Sequence, residues 1–403
     1  PPPSEGPLRR RRRRRDVQEG DVTGRREVPR APDDAADEPT TKELDGTTVL
    51  VVVCFERFEL LRRSLESVTR VAPCGLRMLA SRDGGSTRFQ KEVKREVDAA
   101  FEEMRRRCGS GGDRRFVVHS AQTPEGSGYH KLARHFAFAL RTAFSSSDQT
   151  VERVIILEED LVVAPDFFRY FGFVAPILDA DDTLMAASAW NDNGQRGKVR
   201  DSGRVLRSDF FPGLGWMVTR RVWENQLEAT WPAAYWDDWL REPEQRKSRH
   251  FLRPEICRTF HLSSNSGTSR GQYGDFLSKI QLHDGIAEDD FGDPQDLHLA
   301  KYDARLRDDL RAAVKVRTPA DVDALPEDVT TVYVEYLGID EHRRDAFPAR
   351  ARALGIMDNV KAGVPRTAYR GVVSFWRGNR YIYLAPPLAD VEMNLFHISD
   401  EGT

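Results

Sequence analysis

The chain has 403 residues, of which 39% are hydrophobic, and this length fits two domains or one large domain with an appendage. Its 61 lysine and arginine residues nearly balance its 64 aspartate and glutamate residues, which gives a net charge of −3. These values exclude a collagen, a coiled coil and a small disulfide-dense protein, and without a basic excess no nucleic-acid partner is expected.

The cysteines and the longest apolar run set further bounds. Cys54, Cys74, Cys108 and Cys257 form no C-x-x-C pair, so no structural zinc site is predicted, and their pairing stays open. The longest unbroken apolar run, residues 49–55, is far shorter than the roughly 18–20 residues that cross a bilayer.

Residues 1–45 are predicted to be a disordered stem or tail. They contain no aromatic residue, and they include seven consecutive arginines at positions 9–15. Such a composition cannot bury enough apolar surface to offset the entropy lost on ordering. The arginine run is suited to a polyanion or a membrane face, although a solvated spacer is the simpler interpretation.

Residues 46–290 are predicted to form a doubly wound α/β domain. The uniformly apolar run 49–53 indicates a strand buried on both faces of a parallel sheet. Apolar residues at three- and four-residue spacing predict helices over 60–68 and 130–144. Further strands are predicted at 77–80, 116–118, 154–157 and 184–187. Strands that alternate with helices imply right-handed βαβ units.

Beyond residue 290 the pattern changes, and residues 291–387 are predicted to form a smaller α+β domain. Residues 330–337 and 371–384 alternate like antiparallel strands, with a hairpin turn at 377–380. A short helix that begins at a proline is predicted over 348–354. Residues 388–403 are predicted to be a polar tail.

Polar residues follow three of the predicted strands. Arg57 follows the first, Asp83 the second, and the acidic triplet Glu158, Glu159 and Asp160 the fourth. An open α/β sheet binds its ligand at the carboxyl ends of its strands. Adjacent carboxylates repel one another unless a cation or donors lie opposite, and oxygen ligands suit magnesium or manganese. A solvated turn or a helix N-terminus would explain the same triplet.

The first strand is followed by neither G-x-G-x-x-G nor G-x-x-x-x-G-K, which disfavours a nicotinamide-dependent oxidoreductase. Farther along the chain, Trp236 and Trp239 flank Asp237 and Asp238. Aromatic walls suit sugar rings, and a partly desolvated aspartate is a competent general base. A helix start with core tryptophans explains this motif as well.

The glycine- and serine-rich stretch 263–274 has few apolar anchors. This composition is typical of a lid that closes over a substrate, and equally of an ordinary surface loop.

Several motifs follow one another along the sequence: YHKLARH at 129–135, LEED at 157–160, SAWND at 188–192, DFFPGLGW at 209–216 and WDDW at 236–239. GVPR at 363–366 and LAPP at 384–387 extend the series. This combination resembles the N-acetylglucosaminyltransferase I family from about residue 49 to residue 387. The resemblance implies a GT-A type nucleotide-sugar domain with a smaller C-terminal domain.

The resemblance also implies an activity: inverting transfer of N-acetylglucosamine from UDP-GlcNAc, in β-1,2 linkage, to the terminal α-1,3-linked mannose of high-mannose N-glycans on glycoproteins. This step starts hybrid and complex N-glycan synthesis. Asp237 would be the catalytic base, and Asp160 the direct ligand of Mn²⁺. The implied donor-binding residues are Arg57, Asp83, His135, Glu158, Glu159, Leu214, Trp236, Thr268 and Ser269.

One departure from the family pattern keeps an alternative open. The family usually has aspartate in the middle of the triplet, whereas this chain has Glu159. A related enzyme that acts on O-linked mannose shares this triplet, although the motif around Asp237 resembles the N-glycan enzyme more closely. An inactive carbohydrate-binding homologue is a further alternative.

Members of the family are type II membrane proteins of the Golgi lumen. The resemblance therefore implies the same location here, with membrane contact only through an anchor absent from this chain.

Overall fold

The structure is a computed structural model, which describes residues 44–84, 87–120, 126–145, 147–262, 274–285, 291–340 and 342–396. All of these belong to one compact unit, Asp37–Thr403. The predicted stem, with its arginine run, lies almost wholly outside the described residues. Within the described ranges, no helix combines the length and the hydropathy that a membrane span requires.

The strands and helices are as follows. The strands are β1 Thr48–Cys54, β2 Arg77–Asp83, β3 Arg114–His119, β4 Arg153–Glu158, β5 Leu161–Val163, β6 Leu184–Ser188, β7 Val205–Ser208, β8 Trp216–Thr219, β9 His250–Pro254, β10 Thr259–His261, β11 Val314–Val316, β12 Thr331–Glu335, β13 Val360–Lys361, β14 Val364–Pro365, β15 Val373–Arg377 and β16 Arg380–Ala385. The α-helices are α1 Phe58–Val71, α2 Thr87–Cys108, α3 Gly128–Ala143, α4 Phe167–Ala180, α5 Arg220–Val222, α6 Trp236–Arg241, α7 Pro243–Arg246, α8 Gly274–Leu277, α9 Leu299–Ala312, α10 Phe347–Leu354 and α11 Leu388–Phe396. A π-helix spans Trp223–Leu227, and 3₁₀-helices span Pro294–Leu297 and Pro319–Val322.

The larger sheet has the strand order β3-β2-β1-β4-β8-β6-β9-β7. Strands β3, β2, β1 and β4 are parallel, whereas β8 is antiparallel to both of its neighbours. Every residue of β1 is buried. Leu50 and Val52 pack in the cluster that contains residues of α1 and α2, and Val51 and Val53 pack in the cluster of α3. Helices thus cover both faces, and the predicted α/β class is confirmed.

The helices predicted over 60–68 and 130–144 correspond to α1 and α3, but α2 was not predicted from the sequence. Its buried face consists of Val93, Val97, Ala100, Phe101 and Met104, at three- and four-residue spacing. This is the same spacing that predicts α1 and α3, so the sequence carried a signal for α2. Most of the stability of the helix comes from packing on the sheet.

A disulfide bond joins Cys74, which follows α1, to Cys108 at the end of α2. It closes a loop with a sequence separation of 34. We expect the double variant Cys74→Ser/Cys108→Ser to lose about 2–4 kcal/mol of unfolding free energy, because the unlinked denatured chain gains entropy. Urea denaturation under oxidising conditions measures this loss. A reductant should lower the stability of the wild type only, and an equally stable double variant would contradict the prediction.

The smaller sheet has the order β11-β12-β16-β15. The hairpin predicted at 377–380 is confirmed, since β15 and β16 pair antiparallel about Gly378, whose φ is 59°. The antiparallel arrangement predicted for residues 330–337 is wrong, because β12 is parallel to β11 and β16. The chain between β12 and β16 crosses over through α10 instead of turning back directly, and a crossover yields parallel pairing.

The polar tail predicted from residue 388 is corrected in part by α11. Val391 of this helix is fully buried in a cluster with Leu310 and Tyr383, and Leu388 packs against the same cluster. An apolar stripe at three-residue spacing therefore docks the helix on the smaller sheet. Residues 397–403 lie outside the described residues.

Candidate active site

The loops that follow β1 and β4 meet because these strands are parallel neighbours, with Val53 opposite Glu158. Glu159 turns away from solvent and anchors the loop after β1. One of its oxygens accepts from the Phe55 amide at 2.7 Å, and the other accepts from Arg57 Nε at 2.6 Å. Glu159 therefore positions Arg57, and it does not line the cavity described below.

Asp160 is a buried carboxylate held by Arg57 and His261. Its Oδ2 accepts from Arg57 Nη1 at 2.6 Å and lies 3.3 Å from His261 Nε2. His261 comes from β10, which pairs antiparallel with β5 and places His261 opposite Leu161. Burial alone would raise the pKa of Asp160, but the hydrogen bond and charge of His261, together with Arg57, lower it below its usual value.

The pKa of Glu158 is shifted in the opposite direction to that of Asp160. Desolvation, and then the charge of Asp160, raise its pKa to about 8. The charges of Arg57 and His261 oppose this rise but do not cancel it. A cation beside this pair of carboxyl groups would relieve the repulsion between them.

A cavity of about 450 Å³ opens at this edge of the sheet. Of the residues predicted from the sequence, it is lined by Arg57, Glu158, Asp160, Leu214, Trp236 and Asp237. Its volume lies within the range of about 300–1,000 Å³ that is usual for ligand pockets. The candidate metal ligand Asp160 and the candidate base Asp237 therefore share one cavity.

A left-handed turn places Leu214 at the cavity wall. Leu214 has a φ of 53° and lies between Gly213 and Gly215, whose φ values are 71° and 90°. A Cβ on Gly215 would come within 2.8 Å of Thr259 Cγ2, so only glycine fits there. Thr259 Oγ1 donates to the Leu214 carbonyl at 2.6 Å. Backbone strain held by such packing is common at ligand-binding sites.

The WDDW motif forms α6, which begins after Tyr235 at a φ of 51°. Trp236 stacks on Phe136 at 4.3 Å and on Trp216 at 5.6 Å, so its ring belongs to the core and also borders the cavity. The core interpretation of this tryptophan is therefore confirmed, and its contact with a sugar ring stays a prediction. Asp237 follows it, with its side chain 42% exposed.

Arg241 holds the acidic pair of α6 in place. Its Nη1 donates to Asp237 Oδ2 at 3.0 Å and to Asp238 Oδ1 at 2.7 Å. Lys361 of β13 donates to the other oxygen of Asp238 at 3.3 Å. Arg241 was not predicted from the sequence, although its position four residues after Asp237 places the two on one helix face.

Asp83 and His135 lie in a separate buried cluster near the end of β2. Asp83 Oδ1 is 3.0 Å from His119 Nδ1, and His135 Nε2 is 3.0 Å from Ser81 Oγ. The rings of His119 and His135 are parallel, with centroids 6.0 Å apart. Neither Asp83 nor His135 lines the 450 Å³ cavity, and their donor-binding roles stay predictions.

Burial lowers the pKa of His135 to about 4. Below pH 6.5 the unfolded histidine gains a proton that the folded one does not accept until about pH 4. This histidine therefore contributes stability that is present at neutral pH and is lost as the pH falls.

Between pH 7.5 and pH 5 the loss should be about 2 kcal/mol. We expect His135→Gln to remove that part of the pH dependence in urea denaturation, whereas replacing the exposed His342 with glutamine should leave it intact. An unchanged pH dependence in His135→Gln would contradict this prediction.

Thr268 and Ser269 fall within residues 263–273, outside the described residues, as does nearly all of the predicted lid.

Among the described residues, no group of three or more His, Cys, Asp or Glu side chains could hold a metal. An ion at Asp160 would therefore take most of its ligands from diphosphate oxygens and water, which is how Mg²⁺ is commonly held at phosphate sites. The hard carboxylate oxygens of Asp160, with Glu158 nearby, fit such an ion.

Two solved glycosyltransferase structures are similar to this chain only at low TM-scores. A mannosyltransferase of Pyrobaculum calidifontis in complex with GDP-Man and Mn²⁺ has a TM-score of 0.39 and 14% identity, over 68% of this chain and 67% of that one. Mouse xyloside xylosyltransferase 1 has a TM-score of 0.28 and 12% identity, over 62% and 82% of the two chains.

Sequence comparison is more specific. The chain is 40% identical over 272 residues to an Arabidopsis thaliana protein named alpha-1,3-mannosyl-glycoprotein 2-beta-N-acetylglucosaminyltransferase. The match covers 66% of this chain and 59% of that protein, so the chain spans about three fifths of the length of its relative. The model of the GNT-I family matches residues 11–396, which is nearly the whole chain. The chain belongs to the GNT-I family.

Proposed function

We propose that the protein transfers N-acetylglucosamine from UDP-GlcNAc, in β-1,2 linkage, to the terminal α-1,3-linked mannose of N-glycans on glycoproteins. The observation that carries the proposal is the shared cavity of Asp160 and Asp237. Family membership and the name of the Arabidopsis relative support the reaction and the acceptor.

Asp237 is the proposed general base. Its carboxylate is accessible from the cavity, while Arg241 holds one of its oxygens. As the mannose 2-hydroxyl oxygen bonds to C1 of N-acetylglucosamine, Asp237 takes the hydroxyl proton and the bond from C1 to the diphosphate oxygen breaks. The UDP leaves with the bonding electron pair. A single displacement from the face opposite UDP inverts the configuration at C1.

The side chains at the donor end of the cavity complement UDP-GlcNAc in charge and in polarity. Arg57 supplies a cation beside Asp160 and is held by Glu159, so it is suited to a diphosphate oxygen. Leu214 and Trp236 offer apolar surface to the sugar ring. A divalent ion such as Mn²⁺, held by Asp160, would stabilise as a Lewis acid the charge on the departing diphosphate.

An acceptor panel tests the proposed function. The purified chain is incubated with UDP-GlcNAc and Mn²⁺, and with either a mannose-terminated N-glycan or an O-mannosyl peptide. We expect UDP release coupled to a β-1,2-linked product on the N-glycan. A preference for the O-mannosyl peptide would favour the related O-mannose activity, and no transfer to either acceptor would favour an inactive carbohydrate-binding homologue.

We also assign the protein to the Golgi lumen, as a type II membrane protein. The bond between Cys74 and Cys108 supports an oxidising compartment, since disulfides are rare in reducing ones. Microscopy of the tagged natural protein beside a Golgi marker tests this assignment, and cytosolic staining would contradict it.

A further inference from the structure

A carboxylate in the cavity wall has no role in the chemistry above. Asp192 follows β6, lines the cavity and is only 7% exposed. Its Oδ1 accepts from Arg366 Nη1 at 2.8 Å. Its Oδ2 is buried and has no hydrogen-bond partner among the described residues. A buried carboxylate oxygen without a donor is costly, so this oxygen calls for a ligand that can donate.

The backbone on both sides of Asp192 is fixed. The Asn191 amide Nδ2 donates to the Glu255 carbonyl at 2.6 Å, and Asn191 Oδ1 accepts from the Asn193 amide at 3.0 Å. Asn193 Oδ1 accepts in turn from the Met357 amide at 2.9 Å. Asp192 is thus held in position before any ligand arrives, as a specificity residue must be.

Arg366 links Asp192 to the side of the cavity where the proposed base lies. Arg366 directly follows β14, whose partner strand β13 carries Lys361. Lys361 contacts Asp238, the neighbour of Asp237. One two-stranded hairpin therefore contacts both Asp192 and the helix turn that carries the base, which places Asp192 on the acceptor side.

We propose that Asp192 Oδ2 accepts a hydrogen bond from a hydroxyl group of the acceptor hexose, other than the hydroxyl that is attacked. This inference rests on the proposed function. A neutral sugar supplies hydroxyl donors, whereas a carboxylate repels the diphosphate of the donor. Because Arg366 already neutralises the other oxygen, a second cation is not required. Asp192 is thus a specificity residue for the acceptor.

The first test is Asp192→Asn, which keeps the shape of the side chain and can keep the oxygen that faces Arg366, while an NH₂ donor replaces the oxygen that has no partner among the described residues. We expect kcat/KM for the mannose acceptor to fall about 10- to 100-fold, mainly through KM, since the lost hydrogen bond is to a charged group. The KM for UDP-GlcNAc and the slow UDP release without acceptor should stay unchanged.

The matched control is Asp181→Asn. Asp181 is also buried and is paired with an arginine, Arg207, at 3.0 Å, but it does not line the cavity. This control should leave the acceptor KM unchanged. An increase in the KM for UDP-GlcNAc in Asp192→Asn, with a normal acceptor KM, would assign the oxygen to the donor sugar and overturn the proposal.

The second test begins with the wild type. Mannose acceptors that lack the 3-, 4- or 6-hydroxyl are compared on the wild type, and one of them should lose about 10- to 100-fold in kcat/KM. In Asp192→Asn that loss should disappear. If the kcat/KM of every deoxy acceptor stays within about twofold of that of the parent sugar, the inference fails although the transferase activity stands. A change of about twofold is smaller than the contribution of one hydrogen bond to a charged group. No transfer by the wild type would instead refute the proposed function.

Discussion

Asp237→Asn is expected to lower the turnover of transfer by about 10²- to 10⁴-fold, the usual contribution of a general base. The amide cannot take the proton of the attacking hydroxyl, but it keeps the shape of the carboxylate and can still accept from Arg241. Donor binding should therefore be unchanged. Steady-state transfer to a mannose-terminated glycan measures turnover, and calorimetry with UDP and Mn²⁺ measures binding.

The matched control is Asp238→Asn, on the same turn of α6. Asp238 shares Arg241 with Asp237 and also accepts from Lys361, so it has the same surroundings without the proposed proton transfer. We expect a much smaller loss of turnover in this variant. Normal turnover in Asp237→Asn, or an equal loss in both variants, would remove Asp237 from the role of base.

Asp160→Asn is expected to abolish the effect of Mn²⁺ on UDP binding. Asp160 is the charged anchor proposed for the ion, and the other ligands would come from UDP and water. In the wild type we expect Mn²⁺ to strengthen UDP binding by about 10- to 100-fold, and UDP must then strengthen Mn²⁺ binding by the same factor. Calorimetry measures the first effect, and the electron paramagnetic resonance signal of free Mn²⁺ measures the second.

The Asp237→Asn variant serves as the control for this experiment, since it alters the other end of the cavity and should keep the full Mn²⁺ effect. If Asp160→Asn retains normal metal-dependent binding of UDP, Asp160 is not the metal ligand. Tight Mn²⁺ binding by the wild type without UDP would contradict the idea that the nucleotide supplies most of the ligands.

Five strands of the larger sheet, β1, β2, β3, β4 and β6, were predicted from short apolar runs, which are clearest in β1 and β4. The other three strands of that sheet, β7, β8 and β9, were not predicted. Helix α2 was not predicted, although its buried apolar positions recur at three- and four-residue spacing, as those of α1 and α3 do. The direction of β12 was also beyond local sequence patterns. It depends on a crossover through α10, and alternation of polar and apolar residues does not distinguish parallel from antiparallel partners.

The candidate site likewise contains residues that were predicted from the sequence and residues that were not. Asp160 and Asp237 were identified from short motifs, and the structure brings them to one cavity. Residues that act through distant partners gave no local signal. His261 reaches Asp160 only because β10 pairs with β5, and Arg366 reaches Asp192 across 174 residues of sequence.

Glu159 shows a further limit of reasoning from the sequence. The acidic triplet predicts three carboxylates near a ligand, but successive residues after a strand point in different directions. Glu159 faces inward, toward Phe55 and Arg57, while Glu158 and Asp160 line the cavity. A family role carried over by position alone would miss this difference.

The most direct measurement is a crystal structure of the Asp237→Asn variant with UDP-GlcNAc and Mn²⁺. We predict the ion between Asp160 and the diphosphate, and C1 of N-acetylglucosamine facing residue 237 across a space that admits a mannose hydroxyl. A nucleotide bound away from Asp160, or a sugar whose C1 is shielded from residue 237, would contradict the account.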